Sequence, residues 1–156
     1  MKNAMEKVIQ NTLLTCDELL TATAGFVVGR ENGNAVFTSV ATDSRNVLNG
    51  SLFVPLIGEK QDGHAYINQA VENGASIIFI AESEYKKNGA VYEKLSEEKN
   101  VLVICVQNTL KALQAAAACY VRKFPKLIRI AVTGSSGKTT TKEIAVSILK
   151  QKYRVV

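Results

Sequence analysis

Short apolar runs alternate with amphipathic stretches along the second half of this chain. Residues 76–81 and 101–106 are apolar without alternation except at Ser76, which is typical of strands buried on both faces of a parallel sheet. Residues 85–99 are charged and predict a surface helix. The apolar positions that follow Asn108 keep helical spacing until Pro125. Strand and helix therefore alternate from about residue 65 onward, which predicts an α/β fold with a small, mostly parallel sheet.

The first half of the chain carries the remaining predicted elements of this sheet domain. Residues 14–24 predict a short helix, because Thr15 can cap it, Glu18 completes a capping box and Gly25 follows its end. β-Branched and aromatic residues predict further strands over residues 26–33 with their turn, 36–42 and 51–56. Another helix is predicted from Ala65 to its cap at Gly74, after the loop that contains Asp62, Gly63 and His64.

The last segment predicts a strand, a phosphate-binding loop and a helix in succession. Residues 127–133 are mostly apolar and predict a buried strand, and the apolar positions of the following helix share one face. Gly134 and Gly137 let backbone N–H groups converge on an anion at the helix N-terminus. Only two residues separate these glycines, where the usual phosphate loop has four, so the loop is a shortened variant.

The same loop supplies the candidate groups for nucleotide binding. Lys138 would reach the terminal phosphates, and the Thr139 hydroxyl would ligate Mg²⁺. A flexible turn with a surface lysine is the alternative interpretation, but the predicted strand and helix on either side favour nucleotide binding. The candidate nucleotide-binding residues are Gly134, Ser135, Ser136, Gly137, Lys138, Thr139 and Thr140.

Composition and charge narrow the possible partners. The chain has 156 residues, of which 47% are hydrophobic and 21% charged, as in globular proteins. It contains no apolar run of roughly 18 residues and no signal-peptide core, so we expect no membrane partner and a cytoplasmic location. The net charge is +5, but the lysines and arginines are scattered along the chain, so no nucleic-acid partner is expected. Its three cysteines lack the spacing of a disulfide framework or a zinc site.

Two stretches resemble the Mur ligases, the ATP-dependent amide-forming enzymes of peptidoglycan precursor synthesis. Residues 42–58 have the sequence Thr-Asp-Ser-Arg-Asn-Val-Leu-Asn-Gly-Ser-Leu-Phe-Val-Pro-Leu-Ile-Gly, followed by Asp-Gly-His at 62–64. Residues 133–143 have the sequence Thr-Gly-Ser-Ser-Gly-Lys-Thr-Thr-Thr-Lys-Glu, which resembles the shortened phosphate loop of the family. Asp-Gly-His and Thr-Thr-Thr-Lys-Glu are more similar to the member that adds D-alanyl-D-alanine to UDP-N-acetylmuramoyl-tripeptide than to the member that adds the third residue.

The resemblance implies where the substrate binds. In this family the first domain holds the uridine diphosphate end, so Ser44 and Arg45 become candidates for contacts to the nucleotide-sugar. A hydroxyl and a guanidinium at a strand end can bind diphosphate oxygens, the guanidinium through two bonds at once. An Asp-capped turn with an exposed arginine is the alternative. Asp62 and His64 are secondary candidates in a loop that closes on the same substrate, and a plain turn before a helix is their alternative.

The resemblance also implies the reaction and its cofactors. ATP would phosphorylate a substrate carboxylate, and the amine of D-alanyl-D-alanine would attack the acyl phosphate. ATP and Mg²⁺ are the implied cofactors, and Lys138 is the catalytic candidate because it would offset charge on the β and γ phosphates. The implied domains are residues 1–124 for the substrate and 125–156 for the start of a truncated ATP-binding domain. We therefore expect this chain to be inactive alone.

The sequence is also compatible with other functions and with self-association of the chain. One alternative is a non-catalytic nucleotide-sugar binding module whose phosphate loop is a remnant, and another is the ligase that adds the third residue. A small P-loop kinase or GTPase is disfavoured, because its loop usually follows the first strand. A lone buried-type strand would expose apolar surface unless it packs on its own first domain or pairs with another copy, and the second case predicts self-association through residues 127–156.

Overall fold

The computed structural model describes residues 12–30, 35–59 and 61–155. The chain divides into two compact units, Met1–Phe124 and Pro125–Val156. Within the described ranges, the elements of the first unit are α1 Cys16–Thr23, β1 Phe26–Val28, β2 Ser39–Ala41, β3 Ser51–Phe53, α2 Ile67–Glu72, β4 Ala75–Ala81, α3 Glu82–Lys99, β5 Leu102–Val106 and α4 Thr109–Arg122, with two short 3₁₀ turns at Ser44–Asn46 and Gly63–Tyr66. The second unit contains α5, Lys138–Leu149.

The first unit is built on a five-stranded sheet with the order β1-β5-β4-β3-β2. Strands β2 to β5 are each parallel to their neighbours, and β1 joins the edge beside β5 in the antiparallel direction. The predicted α/β fold with a small, mostly parallel sheet is therefore confirmed. No helix in the described ranges has both the length and the apolar character needed to cross a membrane.

The core lies on both faces of this sheet. Along β4, Ile77 and Phe79 pack into one cluster of buried residues, which includes side chains of α1 and α4. Ile78 and Ile80 point to the opposite face and join a second cluster with side chains of α2 and α3. All four side chains are fully buried. Helices therefore cover both faces, which explains why the central strands are apolar without alternation.

Local hydrogen bonds start α1 and α4 where the sequence predicts. The Thr15 N–H donates to Glu18 Oε2 at 2.8 Å, and the Glu18 N–H donates to Thr15 Oγ1 at 3.2 Å, so the capping box is confirmed. The side chain of Asn108 accepts the backbone N–H of Lys111 at 2.9 Å and caps α4.

Strands β2 and β3 are shorter than predicted, with three residues each. β2 ends because the Asp43 side chain accepts the Arg45 N–H and starts a 3₁₀ turn. β3 ends at Phe53, two residues before Pro55, which has no N–H to donate to a neighbouring strand. The chain therefore turns away from the sheet at these two adjacent strand ends.

In the second unit the predicted helix forms, as α5, but the predicted strand at residues 127–133 is wrong. Those residues form neither strand nor helix, and Ile128 and Ile130 are 76% and 64% exposed. A strand needs a hydrogen-bonded neighbour, and the described part of this unit contains no strand with which residues 127–133 could pair. Ile144 and Ile148 of α5 are also exposed. Self-association through this segment stays a prediction.

Candidate functional site

An open cleft of about 1050 Å³ lies where β2 and β3 end. Ligands of open α/β sheets bind in the crevice outside the carboxyl ends of the strands, and this cleft has that position. Its described lining residues are Thr42, Asp43, Ser44, Arg45, Phe53, Leu56, Gly58, Glu59, Gln61, Gly63, Tyr66 and Gln69. The cleft is therefore the candidate binding site of the first unit.

Asp43 holds the guanidinium of Arg45 at the end of β2. Arg45 Nε donates to Asp43 Oδ1 at 2.9 Å and Nη2 donates to Oδ2 at 2.6 Å, while the Arg45 backbone N–H also donates to Oδ1. The hydrogen bonds from the Arg45 side chain, together with that from its backbone, lower the pKa of Asp43 to about 2. The Arg45 side chain is 79% exposed. The carboxylate therefore fixes one edge of the guanidinium and leaves the other facing outward.

Arg45 is the one cationic side chain among the described lining residues, beside the carboxylates of Asp43 and Glu59. Its Nη1 makes no hydrogen bond with any residue that the structure describes. The Asp-capped turn of the alternative interpretation is present, and the arginine it presents lines the cleft. A contact between Arg45 and a substrate stays a prediction.

Ser44 also lies in the cleft, but its hydroxyl is committed to a neighbour. Ser44 is buried, and its Oγ donates to Gln69 Oε1 at 2.6 Å. Its backbone carbonyl accepts a hydrogen bond from Asn73 Nδ2 at 2.9 Å. The role of Ser44 toward a substrate stays a prediction. Gln69 is a cleft residue that the sequence analysis missed, because an isolated glutamine in a helix carries no motif.

Asp62 and His64 join the loop before α2 to the end of β4. The His64 ring is buried, and its Nδ1 lies 2.5 Å from Asp62 Oδ1. Its Nε2 accepts the backbone N–H of Ala81 at 3.0 Å, so the ring carries its proton on Nδ1. Both ring nitrogens are therefore bonded within the protein. Substrate contact by Asp62 or His64 stays a prediction.

The carboxyl group of Asp62 is affected by opposing influences. Partial burial would raise its pKa, but hydrogen bonds from the backbone and the ring of His64 outweigh that influence and hold the pKa below its usual value. Asp62 Oδ1 also accepts the His64 N–H at 2.9 Å and so caps the 3₁₀ turn that follows. The carboxylate therefore has a structural function in this loop.

The loop of residues 56–63 closes on itself beside the cleft. The Gly63 N–H donates to the Leu56 carbonyl at 2.9 Å, and the Gly58 N–H donates to the Gln61 carbonyl at 2.9 Å. A Cβ at Gly63 would lie 2.8 Å from the Leu56 nitrogen and 2.9 Å from its oxygen, so only glycine fits there without a shift. Gly63 and Gln61 both line the cleft.

The second unit holds the predicted phosphate loop. Gly134 and Gly137 have φ angles of +154° and +73°, which L side chains rarely adopt. Gly137 is the N-cap of α5, and no side chain caps the helix there. Lys138 Nζ donates to the Gly134 carbonyl at 2.5 Å, which places the ammonium at the loop. These features suit a phosphate group, because the N–H groups of the first helical turn lack a side-chain acceptor.

A divalent metal at this loop would depend on few protein groups. The described residues contain no group of three or more His, Cys, Asp or Glu side chains that could hold a metal ion. The Thr139 hydroxyl, in the first turn of α5, is therefore a candidate only for an ion that phosphate oxygens also bind. Mg²⁺ at Thr139 stays a prediction.

Comparison with protein families and curated proteins identifies relatives of this chain. The sequence profile described as Mur ligase family, catalytic domain, matches residues 36–120. The UDP-N-acetylmuramoyl-tripeptide--D-alanyl-D-alanine ligase of Treponema pallidum is 41% identical over 144 residues, which are 92% of this chain and 31% of that protein. The UDP-N-acetylmuramoyl-L-alanyl-D-glutamate--2,6-diaminopimelate ligase of Oceanobacillus iheyensis is 38% identical over 127 residues, or 79% of this chain and 23% of that protein. The chain thus spans less than a third of these relatives.

Solved structures agree with these sequence matches. Crystal structure I of MurF from Acinetobacter baumannii aligns with a TM-score of 0.71 and 30% identity, over 88% of this chain and 28% of that one. The MurF ligase from Thermotoga maritima in complex with ADP aligns with a TM-score of 0.53 and 30% identity, over 76% of this chain and 24% of that one.

Proposed function

Because this chain belongs to the Mur ligase family, we propose that it is the substrate-binding part, with the start of the ATP-binding part, of a ligase that adds D-alanyl-D-alanine to UDP-N-acetylmuramoyl-tripeptide. The name of the Treponema pallidum relative supports this choice of reaction. The two compact units meet at Phe124 and Pro125 in sequence, which supports separate tasks for residues 1–124 and 125–156.

The cleft beside β2 and β3 is the observation that carries the proposal. Arg45 presents its outer edge there, and a guanidinium binds diphosphate oxygens through two parallel hydrogen bonds. Asp43 already holds the other edge, so little side-chain freedom is lost when a ligand binds. The first unit would therefore bind the uridine diphosphate end of the substrate.

The phosphate loop of the second unit would bind ATP. The N–H groups of residues 135–140 would bind phosphate oxygens, Lys138 would offset charge on the β and γ phosphates, and Thr139 would ligate Mg²⁺. ATP, when bound, supplies the phosphoryl group that activates a substrate carboxylate. The ADP in the Thermotoga maritima structure supports this choice of nucleotide. A ligase that uses ATP in this way would work in the cytoplasm.

Isothermal titration of the chain with UDP-N-acetylmuramoyl-tripeptide tests substrate binding. We expect saturable binding that Arg45→Ala weakens on the order of tenfold or more, because a charge-assisted hydrogen bond contributes about 1.5–3 kcal/mol. Arg122→Ala is the matched control, since Arg122 is exposed on α4 and is not among the lining residues of the cleft. Absence of binding, or equal loss in both variants, would contradict the proposal.

Ligase turnover is a separate question. The chain spans 31% of the Treponema pallidum relative, and we propose that the complete reaction needs protein outside this matched part. Phosphate release from ATP, measured with the tripeptide substrate and D-alanyl-D-alanine present, should stay at the background of a chain-free control. Substrate-dependent phosphate release by this chain would overturn this part of the proposal.

A second candidate function is that of the ligase that adds the third residue, because the diaminopimelate ligase of Oceanobacillus iheyensis is also similar to this chain. An activity measurement on a complete ligase that includes this sequence would distinguish the two candidates, because one reaction starts from the tripeptide substrate and the other from the dipeptide. Product formation only from the dipeptide would favour the second candidate.

A non-catalytic module predicts binding of the nucleotide-sugar without binding of ATP, and titration with magnesium-ATP measures that difference.

A further inference from the structure

The buried hydroxyl of Ser44 and the exposed carboxamide of Gln69 are hydrogen-bonded to each other in the cleft wall. Ser44 Oγ donates its proton to Gln69 Oε1 at 2.6 Å across 25 residues of sequence. Ser44 is 4% exposed, whereas Gln69 is an exposed residue of α2. Both residues line the same cleft. The serine therefore contacts the glutamine from the protein side, and the glutamine is the more accessible of the two.

The direction of this hydrogen bond determines what Gln69 offers to a ligand. A carboxamide has one oxygen, which accepts hydrogen bonds, and one NH₂ group, which donates two. Because the Ser44 hydroxyl donates, it bonds to the oxygen and thereby sets which way round the planar amide lies. Gln69 Nε2 makes no hydrogen bond with any residue in the described ranges. Two N–H donors thus remain at a side chain of the cleft wall.

Ser44 is itself held firmly enough to orient a neighbour. Its backbone carbonyl accepts a hydrogen bond from Asn73 Nδ2 at 2.9 Å, and Asn73 directly follows α2, the helix that carries Gln69. Two hydrogen bonds therefore join the turn after β2 to α2 and its end. Such fixed support reduces the entropy that a binding group loses when a ligand arrives.

We propose that Gln69 is a ligand-binding residue of the cleft, whose Nε2 donates a hydrogen bond to an acceptor oxygen of the nucleotide-sugar, and that Ser44 is its positioning residue. The inference rests on the proposed function, because that function supplies the ligand. It changes the role of Ser44, which acts on the ligand through Gln69 and not by direct contact.

Titration calorimetry of the full chain with UDP tests the role of Gln69. Gln69→Glu keeps an acceptor for the Ser44 hydroxyl but has no N–H, and Gln69→Leu has neither group. We expect both variants to bind UDP on the order of 3- to 10-fold more weakly, the range of a single hydrogen bond. Gln114→Glu makes the same chemical change at an exposed position of α4 that is not among the cleft residues. UDP affinity should not change in that control.

A double-mutant cycle tests whether Ser44 acts through Gln69. Ser44→Ala alone should weaken UDP binding, because the carboxamide is then free to rotate. In a Gln69→Leu background the same Ser44→Ala change should have no further effect on affinity. Ser76→Ala, which removes a serine hydroxyl that donates to the Val36 carbonyl away from the cleft lining, controls for loss of a structural hydrogen bond. Thermal unfolding of each variant shows whether it is folded.

The outcomes separate this inference from the function on which it rests. If the unchanged chain binds UDP and the Gln69 variants bind it equally well, the inference is overturned while the proposed function stands. If Ser44→Ala weakens binding equally in both backgrounds, Ser44 contacts the ligand directly and its positioning role is overturned. If the unchanged chain does not bind UDP, both fall. Titration with uridine alone shows whether the acceptor oxygen belongs to the nucleoside or to the diphosphate.

Discussion

His64 Nε2 accepts the backbone N–H of Ala81 at a distance of 3.0 Å. Ala81 is the last residue of β4, and His64 lies in the 3₁₀ turn that precedes α2. The other ring nitrogen is bonded to Asp62, so one imidazole joins the cleft loop to the central sheet. The only histidine of the chain is thus placed where it supports the shape of the cleft, in the motif that the family resemblance singled out.

Replacement of His64 should lower the stability of the first unit. His64→Ala leaves the buried Ala81 N–H without its acceptor, which costs about 1–3 kcal/mol of unfolding free energy. His64→Gln offers an oxygen that can accept the same N–H, so it should lose less. Urea denaturation monitored by circular dichroism measures both values. Equal stability of the alanine variant and the unchanged chain would refute the structural role of this ring.

Gly63 should tolerate no side chain, for steric reasons alone. A Cβ there would lie 2.8 Å from the Leu56 nitrogen, and the surrounding backbone cannot move without breaking the Gly63 to Leu56 hydrogen bond. We expect Gly63→Ala to destabilise the chain by about 1–3 kcal/mol, the usual cost of overpacking. Gly58→Ala is the matched control in the same loop, since its Cβ would come no closer than 3.4 Å to another atom. A smaller loss for Gly63→Ala than for the control would contradict this explanation.

The pairing of Arg45 with Asp43 should be visible in a carboxyl titration. The pKa of Asp43 is lowered to about 2 from an ordinary value of 3.8. The ion pair is therefore fully formed at pH values above 3.8 and is lost only as the pH falls through about 2. Arg45→Gln should raise the midpoint toward 3.8, and Arg122→Gln should leave it near 2. Carbon-13 chemical shifts of the Asp43 carboxyl group measure this midpoint. An unchanged midpoint in Arg45→Gln would show that the pair does not form in solution.

The sheet could be predicted because its signals are local or repeated. Thr15 and Glu18 form their capping box within one helical turn, so residue types at a fixed spacing suffice. The strands 75–81 and 102–106 are covered on both faces, and every position in them except Ser76 is apolar. The run at 127–133 is also mostly apolar, but composition cannot supply the neighbouring strand that its backbone needs.

The cleft could be predicted only in part. Ser44 and Arg45 were found because they belong to a motif, and both do line the cleft. The Ser44 to Gln69 hydrogen bond joins residues 25 positions apart, and nothing in the residue types at those positions indicates that they meet. His64 illustrates the same difficulty, because a backbone N–H 17 positions away engages its ring. Which polar groups face a ligand and which are bonded internally depends on such tertiary contacts.

Lys138 and Thr139 should make separable contributions to nucleotide binding by the second unit. Lys138→Ala removes a charged donor and should weaken magnesium-ATP binding about tenfold or more, whereas Lys142→Ala, on an exposed position of the same helix, should not. Thr139→Val keeps the side-chain shape but lacks the hydroxyl, so it should weaken binding when Mg²⁺ is present and have no effect in EDTA. Fluorescence titration with a labelled ATP analogue measures the affinity of each variant and of the unchanged chain, for Thr139→Val both with Mg²⁺ and in EDTA. Equal weakening by Thr139→Val with and without the metal would show that this hydroxyl binds phosphate directly, because loss of a metal ligand cannot affect binding in a metal-free solution.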